Sequence, residues 1–89
     1  MDSASIPPTL YWRPGCPFCV HLRWRLHRAG AAVTEVNIWD EPAGAAVVRG
    51  ITGGDETVPT LVVGDDTMVN PSPRRALAAI AAHGSPVGD

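Results

Sequence analysis

The chain reads as an α/β fold with a mixed four-stranded sheet flanked by three helices, in the order β-α-β-α-β-β-α. Short runs rich in β-formers, at Thr9–Trp12, Ala32–Ile38 and Thr60–Val63, are separated by helix-length segments. Only the turn Gly64-Asp65-Asp66 stands between the third strand and a fourth, Thr67-Met68-Val69. A helical crossover suits a parallel strand pair and a short turn suits an antiparallel one, so the sheet is mixed. A length of 89 residues with 45% hydrophobic content fits one domain, 1–89, with a core at about 9–83.

Pro7-Pro8 precedes the first strand, and Arg13-Pro14-Gly15 is a loop. From Pro17 to about Ala29 the pattern is helical. Proline suits the first helical position, where the missing N–H would be unpaired anyway. Phe18, Leu22, Leu26 and Ala29 trace an expected buried stripe, and Gly30 is placed to end the helix. In the second strand Val36 and Ile38 share a face. A second helix is expected from Asp40 to about Arg49, with Asp40 as its cap and Pro42 in its first turn; Gly44 weakens it. Gly53-Gly54-Asp55-Glu56 is a loop. The last helix starts near Asn70-Pro71-Ser72-Pro73, with Asn70 or Ser72 as cap. Leu77, Ile80 and Ala81 form its buried stripe, and Gly84 stops it.

All seven cationic Lys/Arg positions are Arg, and the formal net charge is −2. Such a balance gives no electrostatic case for nucleic acid or a membrane surface. No apolar run reaches transmembrane length, and the first eight residues lack a basic start followed by an apolar stretch. The expected compartment is therefore the cytosol.

Both cysteines lie in Cys16-Pro17-Phe18-Cys19, after a strand and at a helix start. In a reducing compartment a lone pair points to catalysis or metal binding more than to a structural staple. Positions i and i+3 of a first helical turn share a face, so the two sulfurs can meet. Helix N-terminal N–H groups favour a thiolate at Cys16, which makes it the better nucleophile; Cys19, one turn deeper, suits a resolving role. Zinc needs about four ligands, and His21, His27 and His83 are not at matching spacings.

Pro59, before the third strand, is a candidate cis proline that would present the Val58 backbone as an open edge. An ordinary proline at a strand start is the alternative. Arg13, three residues before Cys16, either acts on Cys16 or on an anionic substrate group, or is a solvated arginine at a strand end. Arg23, Arg25 and Arg28, with His21 and His27, give the first helix a basic outer surface, and Val20 with Trp24 an exposed apolar patch. Arg74 and Arg75, in the first turn of the last helix, are either solvated or anion-binding.

Tyr11-Trp12-Arg13-Pro14-Gly15-Cys16-Pro17-Phe18-Cys19 resembles the active-site segment of a glutaredoxin, and Thr57-Val58-Pro59 resembles that family's T-V-P with its cis proline. The resemblance implies a thioredoxin-like fold and thiol–disulfide exchange at Cys16 and Cys19. Within the superfamily, Gly53-Gly54-Asp55-Glu56-Thr57-Val58-Pro59-Thr60 and Val69-Asn70-Pro71-Ser72 are similar to segments of the actinobacterial mycoredoxins, which use mycothiol in place of glutathione. The glutathione-gripping G-G-x-D of other glutaredoxins is missing after the hairpin. Pro17-Phe18 departs from the mycoredoxin Gly-Tyr and follows other glutaredoxins.

The resemblance implies no bound cofactor, mycothiol or glutathione as co-substrate, and S-thiolated proteins as substrates of a monomer. It places Arg13, Pro17, Phe18, Thr57, Val58, Pro59 and Asn70 around the thiol substrate. Electrons would come from mycothiol and its NADPH-dependent reductase. An NrdH-type redoxin, reduced by thioredoxin reductase and serving ribonucleotide reductase, is the main competitor, although its aromatic-Arg-Pro segment is absent. A dimeric iron–sulfur carrier using Cys16 and a disulfide-forming redox sensor are further alternatives.

Overall fold

The computed structural model describes residues 7–83. The strands are β1 (Thr9–Trp12), β2 (Thr34–Asn37), β3 (Thr60–Val63) and β4 (Asp66–Val69). The helices are α1 (Pro17–Arg28), α2 (Pro42–Thr52) and α3 (Pro73–Ala82). The four strands form one sheet in the order β2-β1-β3-β4. β1 is parallel to β2, with Leu10 opposite Glu35, and antiparallel to β3, with Leu10 opposite Leu61. β3 and β4 form the antiparallel hairpin, Leu61 opposite Met68.

Successive strand residues point to opposite faces, and this divides the core in two. Leu10, Leu61 and Val63 pack with Leu22 and Leu26 of α1 and with Ala76 and Ile80 of α3. On the other side Tyr11 packs against Ile38 and against Ala45 and Val48 of α2, and both cysteines belong to this second cluster. The cysteine pair therefore sits where the end of β1, the start of α1 and α2 converge.

α2 meets the sheet through a glycine. A Cβ at Gly44 would lie 2.7 Å from Val36 Cγ1 and 3.5 Å from the Tyr11 ring, so Gly44 allows the close approach of helix and sheet. The residue that weakens the sequence signal for α2 is the one that lets it dock.

Four local expectations are corrected. The buried stripe of α1 is Cys19, Leu22 and Leu26, whereas Phe18 is 65% exposed. The positions 19, 22 and 26 obey helical spacing equally well, and it is position 19 that faces the core. α2 is capped at Glu41, with no side-chain hydrogen bond, and runs on to Thr52, where Gly53 at φ 86° ends it. Asp40 is occupied elsewhere: its carboxylate accepts from Asn37 Nδ2 at 3.3 Å, in a turn whose Trp39 N–H donates to Asn37 Oδ1 at 2.9 Å. On α3, Ala76 and Ile80 are buried, Leu77 is half-buried and Ala81 is exposed.

Of the two possible α3 caps, Ser72 serves, its Oγ accepting from Arg75 N at 3.2 Å. Asn70 instead takes a left-handed conformation at φ 51° and donates its N–H to the Pro59 carbonyl at 2.7 Å. Gly84, the expected stop, lies outside the described residues, as do residues 1–6. The second strand is shorter than expected, but Ile38 N still donates to Trp12 O at 2.9 Å beyond it.

Candidate active site

Cys16 is the N-cap of α1, with extended backbone at φ −94° and ψ 110°, and Pro17 fills the first helical position. A cap residue faces the unpaired N–H groups of the first turn. Here the cap atom is sulfur: Cys19 N–H donates to Cys16 Sγ at 3.3 Å. The thiol of Cys16 in turn reaches across the fold to the Val58 carbonyl, at 3.8 Å. Both cysteines are free thiols.

The two sulfurs have unlike surroundings. Cys16 keeps 5% of its surface exposed, at the rim, whereas Cys19 has none. Burial pushes the Cys19 thiol up, and its hydrogen bond with Cys16 adds to this; a backbone hydrogen bond from Arg13 opposes them without prevailing, so the pKa is pushed up to about 12. Cys19 thus keeps its proton until something nearby takes it.

The Val58–Pro59 peptide bond is cis. Val58 and Pro59 are both buried, Val58 against the thiols, and Thr60 Oγ1 donates to the Thr57 carbonyl at 2.7 Å, tying the entry to β3. Asn70, through its bond to the Pro59 carbonyl, lies on the same side. The structure therefore brings Cys16, Cys19 and Val58 together, and the backbone links Val58 to Pro59 and Pro59, through its carbonyl, to Asn70. Arg13 is exposed at the mouth of the loop, and its charge acts on Cys19. Pro17 and Phe18 are exposed on the first turn, and Thr57 is exposed beside Val58.

The basic surface of α1 is narrower than the sequence suggests. Arg23 pairs with Glu35 at 3.0 Å and stacks over Trp12 at 3.9 Å, and His27 bonds Glu35 at 2.8 Å. His21, Arg25 and Arg28 remain on the outward side. Trp12 is accordingly a packing residue behind the site. Ile38, Ala45 and Val48, which back the thiols, carry no motif; only Ile38, through the face it shares with Val36, has a sequence signal read above. Arg74 and Arg75 are exposed on the first turn of α3. Among the described residues no three His, Cys, Asp or Glu side chains cluster to hold a metal. Nor, among them, is any helix long and apolar enough to cross a membrane.

A mixed sheet in this strand order, with a C-x-x-C at the first turn of α1 and a cis proline before β3, defines a thioredoxin-like fold of the thiol–disulfide oxidoreductase class. The chain belongs to the glutaredoxin family, whose model matches residues 9–68. It is 37% identical over 65 residues to a candidate glutaredoxin of Mycobacterium tuberculosis strain H37Rv, covering 72% of this chain and 77% of that one. Among solved structures, it superposes on the NrdH-redoxin of Escherichia coli with a TM-score of 0.70 at 20% identity, covering 82% of this chain and 93% of that one. A glutaredoxin of Archaeoglobus fulgidus gives 0.72 at 21% identity, covering 85% and 87%. A buckwheat glutaredoxin in complex with glutathione gives 0.71 at 17% identity, covering 93% and 84%. The chain is therefore a glutaredoxin-family thiol–disulfide oxidoreductase.

Proposed function

We propose that this protein reduces mixed disulfides between proteins and a small thiol, mycothiol, with Cys16 as the nucleophile and Cys19 as the resolving thiol. The observation that carries this is the asymmetry of the pair: Cys16 caps α1 at the rim with the Cys19 N–H on its sulfur, while Cys19 is enclosed and holds its proton. Cys16, as thiolate, attacks the mycothiol sulfur of the mixed disulfide. The protein–mycothiol S–S bond breaks, and the protein leaves as thiolate and takes a proton from water. Cys16 now carries mycothiol.

A second mycothiol thiolate then attacks that sulfur, frees Cys16 as thiolate and leaves as mycothiol disulfide. In the alternative dithiol route Cys19 gives up its proton, displaces mycothiol and closes the Cys16–Cys19 disulfide. Val58 and Pro59, with Arg13, Pro17, Phe18, Thr57 and Asn70 around them, hold the thiol substrate. Mycothiol is favoured over glutathione by the Gly53–Thr60 and Val69–Ser72 segments and by the missing glutathione-gripping motif. The protein works as a cytoplasmic monomer of one domain, without a bound cofactor, and is recharged by mycothiol and its NADPH-dependent reductase.

The test is NADPH consumption with a protein–mycothiol mixed disulfide. Mycothiol plus its reductase is compared with glutathione plus its reductase and with thioredoxin reductase alone. Turnover that needs mycothiol and survives Cys19→Ser is expected. Turnover with thioredoxin reductase alone that needs both cysteines would assign the protein to the NrdH type instead.

A further inference from the structure

From the Cys16 cap at its start, Val20, Trp24 and Arg28 follow at four-residue intervals along α1, and these three form a ridge that faces away from the buried Leu22 and Leu26. Val20 is 57% exposed and Trp24 is 54% exposed. An open groove of about 560 Å³ runs along this ridge, lined by Gly15, Cys16, Pro17, Val20, His21 and Trp24. On the far side of Trp24 lies a second depression of about 280 Å³, lined by Trp24, Arg25, Arg28, Ala29 and Leu77. Arg28 stacks on the Trp24 ring at 5.1 Å, and among the described residues neither Arg25 nor Arg28 is in an ion pair. The surface thus starts at the reactive sulfur, is apolar for two turns, and ends cationic.

We propose that this ridge docks the protein half of the disulfide substrate, a proposal that rests on the thiol–disulfide exchange at Cys16 set out above. The groove shares Cys16 with the reaction centre, so a chain whose sulfur reacts there has this groove open to it at the point of attack. Trp24 lies eight residues from Cys16, about 12 Å along a helix, and Arg28 about 18 Å. An extended chain covers about 3.3 Å per residue. The favoured substrate therefore carries an aliphatic or aromatic side chain about three to four residues from its reactive cysteine, seated on Val20 and Trp24. It carries an acidic side chain about five to six residues away, facing Arg25 and Arg28. Apolar burial supplies the selectivity, and the charges speed encounter.

The experiment uses short peptides, each with one cysteine in mixed disulfide with mycothiol, with Leu or Ser at the third and fourth positions and Glu or Gln beyond. The flanks are placed on either side of the cysteine. Wild type is expected to prefer the Leu/Glu peptide over the Ser/Gln peptide by roughly tenfold in kcat/KM for one flank direction, a typical value for one apolar subsite. Trp24→Ala and Val20→Ser are expected to bring that ratio near one, and Val47→Ser, on an exposed face of α2, to preserve it. Arg25→Glu, or raising NaCl from 50 to 500 mM, is expected to remove the Glu preference alone. Equal rates for all peptides with wild type would overturn the proposal while leaving the exchange activity standing. No turnover of any peptide would instead sink the exchange activity itself. Loss in Trp24→Ala that appears only at the reductase step, with peptide selectivity intact, would show that the groove serves the reductase and would also overturn it.

Discussion

The backbone N–H of Cys19 points at the sulfur of Cys16 from 3.3 Å, while its own sulfur is closed off from solvent. One residue thus does two things: its main chain steadies the sulfur at the rim, and its side chain waits behind it. Iodoacetamide should therefore label Cys16 in the folded, reduced protein at least roughly a hundredfold faster than Cys19, since reactivity follows thiolate character and exposure. Peptide mapping after timed labelling reads this directly. Equal labelling of both thiols without denaturant would contradict the asymmetry.

The raised pKa of Cys19 also sets a pH dependence of stability. Its folded value, about 12, lies above the ordinary 9.0. The unfolded chain therefore loses this proton first as pH rises, so the contribution is complete below about pH 9 and is progressively lost between about 9 and 12. Cys19→Ala is expected to cost about 1–2 kcal/mol at pH 7 from lost packing. The gap between wild type and variant should narrow above pH 9, in urea melts of the reduced proteins. A gap that widens with pH would refute the assignment.

Glu35 behaves in the opposite sense. Its partial burial works to raise the carboxyl, but hydrogen bonds from His27 and Arg23, with the Arg23 charge, outweigh it and hold it below the usual range. A depressed folded value gives stability that is present above the unfolded pKa and is lost as pH falls through the folded one. Glu35→Gln should cost a few tenths to about 1 kcal/mol at pH 7. The difference should fade below pH 4, as thermal melts at stepped pH would show.

Two glycines of α2 should respond with opposite signs. A Cβ at Gly50 meets nothing within 4 Å, so Gly50→Ala is expected to stabilise by about 0.5–1 kcal/mol through helix propensity. At Gly44 the added methyl meets the stiff Val36 side chain at 2.7 Å, and Gly44→Ala should destabilise by about 1–2 kcal/mol. Chemical denaturation of the two variants beside wild type checks both. Stabilisation by Gly44→Ala would mean that α2 does not rest on the sheet at that point.

What the sequence made legible follows from how local each signal is. The first and third strands and Pro17 at the start of α1 are set within a few residues and lie where the sequence places them, while β2 is shorter and β4 starts one residue earlier. The Val58–Pro59 geometry was legible only through the family motif, since a proline before a strand is compatible with either isomer. Phe18 lies outside the core because positions 18 and 19 flank the Leu22/Leu26 row on either side, each at helical spacing from it, and spacing alone does not say which one turns inward. The capture of Arg23 and His27 by Glu35 depends on β2 lying beside α1, a tertiary fact with no local trace.

The central claim is that Cys16 alone forms the covalent bond with the incoming thiol, and trapping it is the most direct test. Reduced Cys19→Ser would be mixed with a protein–mycothiol disulfide, quenched in acid, and examined by intact mass and peptide mapping. The expected result is one mycothiol adduct on Cys16 with stoichiometric release of reduced protein, and none in Cys16→Ser. An adduct that forms equally well in Cys16→Ser on Cys19, or wild-type turnover that survives Cys16→Ser, would contradict the account.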